Sequence, residues 1–411
     1  MTQVSTSGDA AGTRMTPSER RSSLGLALIF ALRMLGLFLV VPVFELEASH
    51  YAGANPASIG MAMGVYGLTQ AVLQLPLGMA SDRFGRKRLI ALGLLVFAVG
   101  SVIAAVATSI DGLLWGRAIQ GAGAVSAAVT ALLADQTRDG VRTKAMAMIG
   151  ASIGLVFSLA LIVSPLLAGW IGLSGMFWLV AALALLAVLG IFVLVPPEPA
   201  LHRDAVGGSL AEVLAHPALL RLNVGVFVLH AVQLAMWMVL PRLLVQAGLV
   251  KEHHWYLYLP AVLGSFVVMG GVLFRMERKG KLKQVFLASI VLVGLTQLAL
   301  WWLSGAAAAG AAPSLWTLGL LLLVFFSGFN MLEASQPSLV SRQAPAQARG
   351  MALGVYNTLQ SLGLFAGGAA GGLLLKQAGP QALFLASGVL LLLWLLVALG
   401  MTAPGRQTVP H

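Results

Sequence analysis

Twelve times along this chain, an apolar run long enough to cross a bilayer as a helix (~20 residues) is followed by a polar turn. The runs fall at roughly 22–46, 57–80, 89–110, 112–134, 145–170, 173–195, 219–247, 255–274, 284–304, 314–341, 350–375 and 379–402. Hydrocarbon offers no water to the backbone, so each run must satisfy its own N–H and C=O groups, as a helix does. The expected fold class is therefore an all-α membrane protein with twelve transmembrane helices. A soluble fold fails at its surface. The chain is 59% hydrophobic and 9% charged, whereas soluble domains carry about a quarter charged residues.

The basic residues set the orientation. With the N-terminus inside, 20 of the 25 Lys and Arg residues fall in inside loops and tails. Only Arg242, Lys251 and Lys376 fall outside, and Arg33 and Arg117 lie within spans. Cytoplasmic loops collect such charge, so both termini are expected in the cytoplasm. The net charge of +11 does not point to nucleic acid, because the basic residues sit in short turns between apolar runs. The first run is too long, and lacks the small-residue cleavage site, for a removable signal. Cysteine is absent, which excludes disulfides, thiolate metal sites and Cys nucleophiles.

The chain resembles itself at an interval of about 200 residues. FALR at 30–33 matches FVLH at 227–230, each followed by a proline, Pro42 and Pro241. DRFGRK at 82–87 matches ERKGKL at 277–282, and KAMA at 144–147 resembles RGMA at 349–352. Three matches in one order predict two pseudo-symmetric six-helix halves, 22–195 and 219–402, sharing a site near mid-bilayer. Tails 1–21 and 403–411 flank them, and a cytoplasmic loop at 196–218 joins them. Ser209 and Glu212 in that loop have capping-box spacing, which predicts a short helix from Ser209 along the membrane surface.

The stretch GMASDRFGRKRL at 78–89 concentrates charge between spans two and three. A positive-inside turn explains Arg83, Arg86, Lys87 and Arg88 but not Asp82, Gly78 or Gly85. A carboxylate at the C-terminal end of a helix faces the negative end of its dipole and wants a partner. G-x-x-x-D-R-x-G-R-K is similar to the loop two–three signature of the major facilitator superfamily, matched by Gly78, Asp82, Arg83, Gly85, Arg86 and Lys87. RAIQGAGA at 117–124 resembles that family's second motif, with Arg117, Gln120, Gly121 and Gly123. Segments 32–44 and 134–150 resemble the YajR-type branch of drug:proton antiporters.

The resemblance implies the twelve-span fold, alternating access and a bacterial inner-membrane location. It implies a conformational latch that holds the cytoplasmic side while the outside is open, with Asp82 near residues 346–350 and Arg86 paired with Asp135. It implies that Arg117 tunes proton release, and that Trp237 and Tyr356 fall in cavity-lining spans. Span five departs from the antiporter signature. Ser164 replaces the glycine before Pro165, and Ala168-Gly169 replaces a Gly-Gly pair, which bears on the direction of exchange.

An ionisable group at mid-span costs ~2.5–3.5 kcal/mol on insertion scales. Four groups stand there: Arg33, Arg117, His230 and Glu333. Glu333 is the one carboxylate well inside a span, with Asn330 three residues earlier on the same helical face. A carboxyl group in that setting can exchange a proton near neutral pH, and histidine titrates in the same range. Glu333, His230 and Arg117 are the proton-coupling candidates. Arg33, Asn330, Trp237, Tyr356 and Gln120 are the candidates for the substrate cavity. Each also has a structural alternative, as an internal ion pair or packing group. Glu45 and Glu47, at the outer end of span one, are expected as solvated interface charges.

No phosphate-binding G-x-x-x-x-G-K-[ST] and no hydrolase motif occurs, so neither an ATP engine nor an enzyme is expected. No cofactor or metal is expected. The leading expectation is a monomeric transporter that exports small hydrophobic or cationic compounds, with protons as the coupling ion. The alternatives are symport of a small metabolite, with Arg33 binding an anionic group, and a membrane sensor or lipid translocator without proton coupling.

Overall fold

The computed structural model describes residues 15–198 and 210–401. Of the expected tails, residues 1–14 and 403–411 lie outside these ranges, as does Ser209. A short helix, Leu210–Ala215, follows that position. The elements among the described residues are helical, apart from one isolated bridge between Ala52 and Ser109.

Span one, Pro17–Phe38, opens on a capping box of Thr16 and Glu19. It breaks near Pro42 and resumes as Phe44–Ala48. Span two, Pro56–Phe84, opens on a second box, Asn55 with Ser58, and a proline in its first turn. Span three is Arg86–Val106, and span four is Ile110–Ala122 continued by Ser126–Asp135. Asp139–Val193 holds spans five and six, parted at Gly172. Span seven is Pro217–Trp237 continued by Leu240–Gln246. Spans eight, nine and ten are Trp255–Arg278, Leu282–Ala308 and Leu315–Gln343. Arg349–Leu399 holds spans eleven and twelve, parted at Gly379. Nine runs among the described residues are long and apolar enough to cross a membrane. Two of them are double, and with span two the twelve are complete.

The halves share their irregularities. Span one breaks beside Pro42 and span seven beside Pro241. Gly85 (φ +93°) and Gly280 (φ +72°) hold the same place in loops two–three and eight–nine. Both adopt a left-handed backbone that glycine enters without steric cost. The glycine shared by DRFGRK and ERKGKL is therefore a turn requirement that occurs twice.

The two halves touch most intimately where span two crosses span eleven. A Cβ on Gly60 would strike the Gly368 carbonyl, and one on Gly64 would stand 2.7 Å from the Phe365 carbonyl. Bare backbones let the helices approach to contact, as small residues do between membrane helices. On the outside of the bundle, large apolar side chains such as Leu155, Val267, Leu189 and Leu392 are exposed, a surface suited to lipid.

Helix alternation puts the loop of the DRFGRK motif on one face, the motif face. On the opposite face the halves are joined by charge. Arg242 pairs with Glu45, and Lys251 pairs with Glu47. These carboxylates are not the solvated charges expected from the sequence: Glu45 is only 2% exposed. Each acid at the end of span one meets a base from the end of span seven or the turn after it. Gly169 at the end of span five also abuts Glu252. The opposite face is thus closed across the halves.

Two outcomes follow from this packing. Gly368→Leu will destabilise the protein by ~1–3 kcal/mol through overpacking, seen as a lower melting temperature. Gly270→Leu, where an added Cβ meets nothing within 4 Å, will not. In the cysteine-free chain, Glu45→Cys with Arg242→Cys will be joined by a short thiol cross-linker, detected as a mobility shift after proteolysis between the halves. That link will stop transport, and a reducible linker will restore it.

Candidate functional site

The first cluster is built by glycines. Gly121 of span four would drive a Cβ into the Tyr66 carbonyl, and Gly123 would strike the Gly93 carbonyl. Span four therefore lies against spans two and three, and the sequence around Arg117 is dictated by that approach. The Arg117 guanidinium stands over the Tyr66 ring, 4.9 Å from its centroid. Its Nη1 donates to Gln120 Oε1 at 2.9 Å, and the Gln120 amide donates to Ser101 Oγ at 2.7 Å.

Arg33 reaches the same tyrosine from span one. Its Nη2 donates to Tyr66 Oη at 2.8 Å and to Gln70 Oε1 at 2.9 Å, and its Nη1 donates to Ser126 Oγ at 3.3 Å. Tyr66 is thus held by two guanidiniums, one on its hydroxyl and one on its ring. Arg33 is 1% exposed and Arg117 is 3% exposed. Among the described residues neither arginine has a carboxylate in ion-pair reach. The Nε of each is buried without a hydrogen-bond partner.

The second cluster lies in the other half. His230 Nδ1 stands 3.0 Å from the Val226 carbonyl, one helical turn earlier. The Gln360 amide meets His230 Nε2 at 2.7 Å and Glu333 Oε1 at 3.4 Å. An Nδ1–H in this place would donate to Val226, leaving Nε2 to face Gln360. Glu333 Oε2 stands 3.5 Å from the same Nε2. The Glu333 side chain is 35% exposed while His230 is buried. The carboxylate and the imidazole thus stand side by side. Phe329 packs edge-on against His230.

A hydrogen-bond path runs from the first cluster to span eleven. Gln70, which accepts from Arg33, donates its amide to Ser361 Oγ at 2.9 Å across the span two–span eleven contact. Ser361 follows Gln360 in the chain. Above this layer, toward the opposite face, lies a narrow cleft between the halves. Phe38, Phe157, Tyr66, Trp237 and Arg117 line it among aliphatic side chains. Of the expected cavity residues, Trp237 lines the cleft, and Arg33 and Gln120 support its wall through Tyr66 and Arg117. Asn330 turns to Ser265 Oγ at 2.8 Å, and the Tyr356 hydroxyl to Gln336 Oε1 at 3.4 Å. Both stay inside their own half.

At the motif face, Arg86 pairs with Asp135 at the end of span four. Its Nη1 also meets Asp82 at 2.7 Å and Ser81 Oγ at 3.1 Å. The expected contact of Asp82 with residues 346–350 is not made. Asp82 is 59% exposed on its side chain, and a Cβ on Gly350 would meet nothing within 4 Å. The reason lies on the other face: with the halves joined through Glu45 and Glu47, they part here. Gly78 packs on Ala127, and Arg83 is exposed. Lys87 donates to the Val195 carbonyl at 2.6 Å. Glu198 accepts from the backbone N–H groups of Arg86 and Lys87 at 3.0 and 2.7 Å, capping span three.

Sequence reasoning missed Gln70, Gln360, Ser361 and Glu198. Polar side chains in the middle of apolar spans were the available signal for the first three. Glu198 stood in the PPEP turn with nothing to say which helix it would cap.

Comparison with known proteins agrees with this architecture. Residues 26–306 and 274–410 match the profile of the Major Facilitator Superfamily. The inner membrane transport protein YajR of Escherichia coli (strain K12) is 43% identical over 395 residues, 95% of this chain and 85% of that one. The multidrug resistance protein MdtH of Aeromonas salmonicida (strain A449) is 27% identical over 373 residues, 88% of this chain and 90% of that one. The crystal structure of the POT family transporter PepTSo superposes with a TM-score of 0.72 at 14% identity, covering 94% of this chain and 97% of that one. Twelve helices in two similar halves around a central cleft, a matching profile along the chain and a close transporter relative lead to one conclusion: the chain is a membrane transporter, not an enzyme, and belongs to the Major Facilitator Superfamily.

Proposed function

We propose that this chain is a proton-coupled exporter of small hydrophobic compounds, acting as a monomer by alternating access across a bacterial inner membrane. Its motif face is cytoplasmic, as the basic loops require, and the structure is then the inward-open state. The observation that carries the reading is the Glu333–His230 pair, within 3.5 Å of each other. A half-exposed carboxylate at mid-membrane can take a proton from one side and release it to the other as access alternates. His230 offers a second seat for that proton, and Gln360 holds both in place.

The relatives named as an inner membrane transport protein and a multidrug resistance protein support export of a small molecule across that membrane. The cleft supports the hydrophobic part of the expected substrate range. It lends nothing to the cationic part, because its one charged lining group is Arg117. The motif latch has its own role in this cycle. Arg86 and Asp135 keep spans three and four aligned, while Asp82, now beside Arg86, would turn to span eleven when the motif face closes.

In energised inside-out vesicles, adding a transported hydrophobic compound will collapse part of the pH gradient with the wild type. With Glu333→Gln, which has no proton to exchange, collapse will fall at least about tenfold, the size of one lost catalytic-type interaction. If the variant is folded and couples as the wild type does, Glu333 is not on the proton path.

A further inference from the structure

The charges around the cleft do not balance. Arg33 and Arg117 are buried without carboxylate partners among the described residues, and Glu333 is the one acid of the central layer. At their formal charges Arg33, Arg117 and Glu333 leave the layer with an excess of positive charge. Removing a guanidinium from water without a counter-charge is costly. Tyr66 eases that cost by offering Arg33 its hydroxyl and Arg117 its ring face, but it supplies no negative charge.

The unsatisfied polar atoms of the cleft wall point the same way. Two buried atoms on lining residues lack a partner, Arg117 Nε and Trp237 Nε1. Both belong to N–H donors, and both side chains are more than nine-tenths buried. No lining residue contributes a buried unpartnered acceptor. Acceptors on a ligand would complement these two donors, and the Gln233 amide of the same wall offers one donor and one acceptor group. The rest of the wall is Leu, Val, Met and Phe with Tyr66 and Gln233, so it is mainly apolar, as small-molecule sites are.

We infer that the cleft binds amphipathic organic anions: an apolar body among Phe38, Phe157 and Leu364, and a single carboxylate or sulfonate turned to Arg117 and Trp237 Nε1. This names the substrate class within the transport reading above and rests on it for the direction of movement. One negative charge neutralises the excess at the central layer. Arg33 acts behind the site by holding Tyr66, and so the Arg117 guanidinium, in position.

The test is binding to the purified full chain in lipid nanodiscs with no pH gradient. Three fluorescent probes share one apolar body and differ in charge: dansylglycine (anion), dansylamide (neutral) and dansylcadaverine (cation). Wild type will bind dansylglycine at least about tenfold more tightly than dansylamide, the worth of one charge-assisted hydrogen bond, and dansylcadaverine most weakly. Arg117→Gln will erase the preference and keep dansylamide binding, which shows the cleft intact. Arg117→Lys will restore part of it.

A cation bound as tightly as the anion overturns the inference. So does a preference that survives Arg117→Gln, or no binding of any probe to protein with an unchanged melting transition. Binding and coupling are separable. Anion preference without gradient collapse would sink the proton reading alone, and collapse without anion preference would sink only the substrate class.

Discussion

The contact of span two with span eleven is backbone against backbone. Gly60, Gly64 and Gly67 face Ser361, Phe365, Gly368 and Gly372 with no side chain between. Much else depends on that closeness. It brings Gln70 within hydrogen-bond reach of Ser361, and so brings the arginines of one half into register with the acid of the other. It also provides a smooth surface on which two rigid bundles can turn. A bulky residue at the crossing would separate the halves and leave the central polar groups facing hydrocarbon or empty space, where each costs several kcal/mol.

Around this crossing the charges are segregated. The first half holds guanidiniums and tyrosine; the second holds carboxylate and imidazole. In a low-dielectric interior such groups act on one another over longer distances than in water. On the proposed reading, a proton arriving at Glu333 would alter the field at the arginines, and a charged ligand beside Arg117 would act back on Glu333. Coupling between two cargoes needs no moving wire in this arrangement. It would follow from placing one acid in the second half and two fixed cations in the first, across the span two–span eleven crossing.

Much of the architecture was legible in the sequence. Twelve apolar runs, a repeated turn glycine and a basic bias are consequences of the bilayer, and the bilayer imposes the same rules on every span. The four intramembrane ionisable residues were legible for the same reason: each is costly, so each is a signal. Their partners were not. His230 and Glu333 are a hundred residues apart, and spans that are apolar all round carry little amphipathic pattern to reveal which face turns inward. The ion pairs of Glu45 and Glu47 were hidden because pairing across halves depends on how the bundles lean. The place of Asp82 depends on the same lean, so a motif that predicts its partner predicts it for one state of the cycle.

The opposite face is fastened by carboxylates and bases rather than by grease. When it parts, water enters and rehydrates Glu45, Glu47, Arg242 and Lys251, returning much of the attraction that is lost. Apolar surfaces pulled apart into water would have no such compensation. The two arrangements of the bundle can therefore lie close in free energy, and a modest difference in ligand affinity is enough to shift between them. Once parted, those charges meet salt, which screens them, so the ionic strength on that face would become a lever on how long the molecule waits in each posture.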